Sequence, residues 1–177
     1  MRSKLVYIIN TSLDGYIEDA SGSFNWTYPE QMVFDFITEL LAPIGTYLYG
    51  RRVYETMSPY WDADVESYPP EQRKFARIYQ KAQKIVFSRN SRHFDTGAVL
   101  RLKSESGHDI AIAGAELANQ ALDANLVDEC HLFLHPVIVG SGKPAFRAGL
   151  RRNLELLETR RFDTGVIYVH YRIPAHA

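Results

Sequence analysis

A single cysteine, Cys130, stands in the 177 residues, which excludes an intrachain disulfide framework and fits a reducing compartment. Lying in an apolar run, it reads as a small core hydrophobe rather than a nucleophile. No apolar run approaches the roughly 20 residues of a membrane-spanning helix. The start, MRSKLVYIINTSLDG, reaches polar Asn10 too soon for the apolar core and cleavage site of a signal peptide. A cytoplasmic protein without a membrane partner is expected. Charge of one sign is lacking as well: the formal net charge is −1, which leaves no global footprint for nucleic acid. Internal repeats, heptads and low-complexity tracts are absent. What is present, 46% hydrophobic and 23% charged residues, suits one globular domain over residues 1–177.

The pattern along the chain alternates strands with helices. Lys4 to Asn10 reads as a strand covered on both faces. The segment SLDGYIED, continuing to Trp26, holds turn residues and aromatics without a helical period, and reads as a functional loop. Pro29 suits a helix start, after which Met32, Val33, Phe36, Ile37, Leu40 and Leu41 form an apolar stripe ending near Pro43. Thr46 to Tyr49 predicts a buried strand, and Gly50-Arg51-Arg52 opens a short helix closed by Pro59. A loop over 62–70, a helix over 71–82 and a strand over 84–87 follow, the strand leading into Ser88-Arg89. Residues 90–108 leave strand and short helix both open. Asp109 to Ala113 predicts a strand, Ala113-Gly114-Ala115 a tight turn, and Glu116 onward an amphipathic helix. Val127 to Gly140 is a long β-rich run, and the segments 153–162 and 166–173 flank Asp163-Thr164-Gly165 as a closing hairpin. Together these predict a three-layer α/β/α sandwich around a mixed, mostly parallel sheet with a C-terminal antiparallel hairpin.

Three strand ends carry anion-binding chemistry. In open α/β sheets the ligand crevice lies outside the carboxyl ends of the strands. There Gly50-Arg51-Arg52 and Ser88-Arg89 offer guanidinium forks and a hydroxyl. The turn Ala113, Gly114, Ala115 with Glu116 lets a ligand approach the backbone at a helix start, where free N–H groups and the dipole favour phosphate. Gly140-Ser141-Gly142-Lys143 is no Walker loop, because Val137 stands where its first glycine belongs and Pro144 where Ser or Thr should hold magnesium. His131 and His135, four apart on a strand, lie about 13 Å from one another and cannot share an ion. No metal site is expected. Local chemistry reads Asp14 as a turn former and Glu30 as a helix-start residue. Their loop positions also make them the carboxylates best placed to supply a proton beside a bound ring.

The succession SLDGYI, Trp26, YLYGRRVYE, KIVFSR, then strand, small-residue turn, helix, LVDE, HPV and GSGKPAF resembles the dihydrofolate-reductase-like superfamily. Within it the sequence is most similar to the riboflavin-biosynthesis reductase domain and its stand-alone bacterial relatives. The resemblance implies a dihydrofolate-reductase-like fold and NADPH as cofactor, with the arginine-bearing strand ends on its adenosine half. It also implies hydride transfer to a small C=N or C=O substrate, as in 5-amino-6-(5-phosphoribosylamino)uracil reductase. A pterin or folate reductase, and a nucleotide-binding module without turnover, are the alternatives. A homodimer is implied too, and the long sheet edges of the hairpin and of Val127 to Val139 call for cover. Three positions depart from the family pattern: Ala113 replaces the first glycine of a pair, Ile112 replaces a preceding glutamate, and Gln31 stands where dihydrofolate reductases carry an acid.

Overall fold

The computed structural model describes residues 2–88 and 94–174. Seven strands form one sheet in the order β4-β3-β5-β1-β6-β9-β8: β1 (Leu5–Ser12), β3 (Ile44–Gly50), β4 (Gln83–Phe87), β5 (Asp109–Ala113), β6 (Glu129–His135), β8 (Glu155–Arg161) and β9 (Ile167–Arg172). The five from β4 to β6 run parallel, while β9 pairs antiparallel with both β6 and β8. Alternation of side chains across the sheet sorts the core. Leu5, Tyr7, Leu48, Ile110, Ile112, Cys130 and Leu132 face α4 (Thr96–Glu105) and α5 (Ala115–Asp123). Val6, Tyr47, Tyr49, Ala111 and Phe133 face α1 (Gln31–Leu41), α2 (Arg51–Trp61) and α3 (Pro70–Lys81). The expected sandwich, mixed sheet and terminal hairpin are therefore the observed architecture.

Three local readings need correction, and one left open is decided. Strand β6 stops at His135, not near Val139, because Pro136 has no N–H for the ladder. The loop read across SLDGYIED contains β2 (Tyr16–Asp19), which pairs with β7 (Gly142–Pro144). Gly142 has φ 143°, and a Cβ there would lie 2.0 Å from the Glu18 carbonyl oxygen, so glycine permits the pairing. Helix α2 passes Pro59 and ends at Trp61, whose ring packs on Phe75 with centroids 4.3 Å apart. Within the open segment, residues 96–105 are helix: Asp95 caps it by accepting from Ala98 N at 3.0 Å. Lys103 on this helix is buried, and it donates to Leu126 O at 2.7 Å while pairing with Asp128 at 2.5 Å. Asp128 also accepts from Leu5 N at 2.7 Å. The LVDE segment thus joins α4, β1 and β6.

Candidate functional site

The carboxyl ends of β3 and β5 meet. Gly50 ends β3 and caps α2, and Gly114 follows β5 and caps α5; neither helix start has a side-chain cap hydrogen bond. By contrast α4 has its aspartate cap. Gly114 has φ 97°, and a Cβ on it would lie 3.3 Å from Val53 Cγ2 and 3.6 Å from Gly50 N. Two helix N-termini therefore open side by side, neither with a side-chain cap, at a point where the backbone carries no Cβ. This is the geometry that receives a phosphate or pyrophosphate. Ala113 needs no glycine, since Asn125 is the one non-glycine described with positive φ. Ala115 is buried in the first turn of α5, while Glu116 is exposed there, 3.3 Å from Lys143 Nζ. From this turn a groove of about 280 Å³ runs along α5, flanked by Asn119, Lys143 and Arg147.

Arg51 and Arg52 occupy the first turn of α2 and are exposed. Arg51 Nε donates to Glu55 at 2.6 Å, a surface i,i+4 pair of small worth that a phosphate can displace. Gly50 is in register with Phe87, so Ser88 emerges beside the start of α2. Arg89 lies outside the described residues. Thus Gly50, Arg51, Arg52, Ser88, Ala113, Gly114, Ala115 and Glu116, three strand ends in the sequence, fall on the adjacent edges β4, β3 and β5.

A second group gathers at the carboxyl ends of β1 and β6, on the α1 side of the sheet. His135 Nε2 and Asn10 Oδ1 are 2.9 Å apart, and the Trp26 ring meets His135 edge-on with centroids at 5.8 Å. Burial holds the His135 imidazole below its ordinary pKa, hence neutral near pH 7. Trp26 Nε1 is buried without a hydrogen-bond partner among the described residues, and a buried polar atom of this kind calls for a ligand or water. Exposed Leu13, Phe24, Tyr28, Met32 and Ile138 belong to the adjoining segments and supply apolar surface. Reading His135 from the strand alone as a sheet-face residue places it correctly but misses its setting. The available signal was a pair of polar residues, Asn10 and His135, ending two apolar strands.

The two carboxylates behave differently. Asp14 accepts from Gly140 N at 2.7 Å and Val139 N at 3.2 Å, tying the β1–β2 turn to the loop after β6. The Ser12 hydroxyl first, and then these amides, hold its carboxyl below the usual range. It is an ionised hydrogen-bond acceptor near pH 7, the wrong state for a proton donor. Glu30 is the N-cap of α1, exposed and without a side-chain cap bond. Cys130 is buried and its thiol is pushed up to about 12 by that burial, as expected of a core residue.

Known proteins resemble the chain over nearly its whole length. Residues 3–168 match the model of the RibD C-terminal domain. The uncharacterised protein YyaP of Bacillus subtilis (strain 168) is 30% identical over 182 residues, covering 95% of this chain and 94% of its own. Among solved structures, the diaminohydroxyphosphoribosylaminopyrimidine deaminase/5-amino-6-(5-phosphoribosylamino)uracil reductase of Thermotoga maritima superposes with a TM-score of 0.67 at 17% identity, over 98% of this chain and 57% of that one. Dihydrofolate reductase from Enterococcus faecalis, complexed with NADP(H), gives 0.65 at 13% identity over 98% of each chain. At these identities both likenesses speak for the fold.

Proposed function

The chain belongs to the RibD C-terminal domain family, and on that premise we propose that it is an NADPH-dependent reductase of a small heterocyclic or sugar-linked substrate. The single observation that supports this best is the meeting of two uncapped helix starts at Gly50 and Gly114. Their amides and the bare Gly114 backbone hold the pyrophosphate. Arg51, Arg52, Ser88 and Arg89 hold the phosphate on the adenosine ribose, and Glu116 lies at the edge of the same turn. The bound cofactor supplies a hydride from its nicotinamide to a C=N or C=O carbon.

The remaining work falls to the chain's own residues. Asn10 and the neutral His135 orient one another and offer hydrogen bonds at the floor of the substrate site. Trp26 walls it and donates through Nε1 to a substrate acceptor. Asp14 holds the two loops together over that floor, a positioning role. With Asp14 ionised, the proton that balances the hydride comes from Glu30 or from water. A substrate resembling 5-amino-6-(5-phosphoribosylamino)uracil suits the family; pterins and dihydrofolate suit the fold. A cytoplasmic homodimer completes the proposal, supported by β8, whose residues are all exposed and include Leu156 at 58%.

Oxidation of NADPH, followed by loss of its absorbance against pyrimidine ribosides, pterins and quinones, tests the reading. Turnover of one class is expected. NADPH binding without oxidation by any class would favour a nucleotide-binding module that has lost turnover.

A further inference from the structure

The end of the sheet opposite the crevice holds a second constellation. Glu129 opens β6, His131 follows two residues on, and the antiparallel register sets His170 of β9 directly across from His131. All three side chains therefore project from one face. Their rings and carboxylate converge: His131 and His170 stack with centroids 3.9 Å apart, and Glu129 Oε2 lies 3.1 Å from His170 Nε2 and 3.8 Å from His131 Nε2. One ligand atom from each of the three falls within 4.8 Å of the others. Reasoning along one strand pairs His131 with His135 and discards a metal; the partner is supplied across the sheet.

We propose that Glu129, His131 and His170 form a binding site for a divalent transition metal of the zinc type, with water as the fourth ligand. Bonds of 2.0–2.1 Å in a tetrahedral site separate ligand atoms by about 3.4 Å. The two separations at Glu129 Oε2 bracket that value, while the two rings lie stacked within 18° of parallel, so closure on an ion needs one imidazole to turn out of the stack. The donor set of two imidazoles and one carboxylate is one that zinc accepts with an open fourth position.

The surroundings prepare each ligand as outer-shell partners do in metal sites. His131 Nδ1 is 2.8 Å from the Tyr168 hydroxyl; with that nitrogen protonated, Nε2 keeps its lone pair toward the centre. The His131 ring and the Glu129 carboxylate are both buried, with 6% and 8% side-chain exposure. Lys4 Nζ pairs with Oε1 at 2.8 Å, which leaves Oε2 as a monodentate donor. His170 is the least covered ligand, with 16% side-chain exposure, and marks the entry path. A bound ion takes the place of the contact between His170 Nε2 and Glu129 Oε2. It joins β6, the last parallel strand, to β9, the first antiparallel one. Its effect is on stability, since His135 at the crevice is about 13 Å beyond His131.

Untagged protein freed of metal with a chelator is titrated with Co²⁺, read by its visible ligand-field bands, and with Zn²⁺ in competition with a chromophoric chelator. One ion per chain is expected, with the intense bands of four-coordinate Co²⁺ and a higher unfolding temperature with Zn²⁺. His170→Gln, at the least covered position, should weaken binding at least about 100-fold, and Tyr168→Phe, which keeps the ring, about 10-fold. NADPH affinity should be unchanged by the metal and by both variants. Weak octahedral Co²⁺ bands, no saturation at one ion per chain, or equal affinity in His170→Gln would overturn the site. If NADPH fails to bind while Co²⁺ binds as described, the reductase reading fails and the metal site stands.

Discussion

Replacing Gly114 with alanine separates what the turn contributes to folding from what it contributes to binding. With φ 97° and ψ 117°, the residue lies where side chains of L configuration are strained, at about 1–3 kcal/mol. The added Cβ would meet Val53 Cγ2 at 3.3 Å, and a valine methyl can yield by a few tenths of an ångström, so this contact adds little. The other neighbours, Gly50 N at 3.6 Å and Gly50 Cα at 3.7 Å, are in ordinary contact. Gly114→Ala should therefore unfold about 1–3 kcal/mol more easily in urea with an unchanged m-value. For a chain of this size that is a loss of roughly 2–12 °C in Tm. Affinity for NADPH should fall more than stability predicts, because the methyl stands between the two helix starts. Ala113→Gly, at a position without positive φ, should leave both quantities nearly unchanged apart from a small entropic cost. A stability loss under about 0.5 kcal/mol in Gly114→Ala, with NADPH affinity intact, would refute the argument that this turn is built around a missing side chain.

Other outcomes follow from single contacts. Asn119 is buried and donates to Ala145 O at 3.1 Å while accepting from Arg147 N at 3.0 Å; Asn119→Ala should cost about 1–3 kcal/mol in urea unfolding, and a neutral result would show that the segment after β7 is held otherwise. Asp14→Asn should lower kcat while leaving NADPH affinity within about twofold, because the tie spans the substrate side. The folded Asp14 carboxyl is depressed, so its tie is present above the ordinary carboxylate range and lost as pH falls through the lowered value. The protection of the Gly140 amide relative to its intrinsic exchange rate should accordingly fall in acid in the wild type but show no such step in Asp14→Asn. Sedimentation should give twice the 20.2 kDa chain mass, and Leu156→Glu on β8 should give the monomer; a monomeric wild type at micromolar concentration counts against the dimer.

The fold was legible wherever a segment is buried on both faces or one. Continuous apolar runs mark β1, β3 and β5, and the stripe from Met32 to Leu41 marks α1, because periodicity records which face meets the core. Residues 96–105 were not legible, since their helix buries Lys103, whose ammonium reaches carbonyl and carboxylate partners that no local pattern announces. The end of β6 was misplaced because Val137, Ile138 and Val139 continue the β-prone composition after Pro136, although Ile138 is 71% exposed. At the candidate site, the three strand ends were legible from strand, small-residue turn and helix start in succession, and the sheet order makes them neighbours. The meeting of Asn10 with His135 was not legible, for it depends on strands adjacent in space and 125 residues apart in sequence. The same limit hid His170 from His131. Asp14 was singled out for its loop position, but its carboxylate is engaged by the amides of residues 139 and 140, which arrive from another loop.

The central claim is that the starts of α2 and α5, with the arginines and serine beside them, hold a phosphorylated dinucleotide. Its most direct test is the titration of NADPH and NADH by nicotinamide fluorescence at two salt concentrations. Each charge-assisted contact to the 2′-phosphate contributes about 1.5–3 kcal/mol, so two of them predict a preference for NADPH on the order of 100-fold. Arg51 is 64% exposed, so the preference should shrink as salt rises. Arg51→Ala should weaken NADPH and leave NADH unchanged. Equal affinities for the two cofactors in the wild type, or binding of neither, would contradict the account.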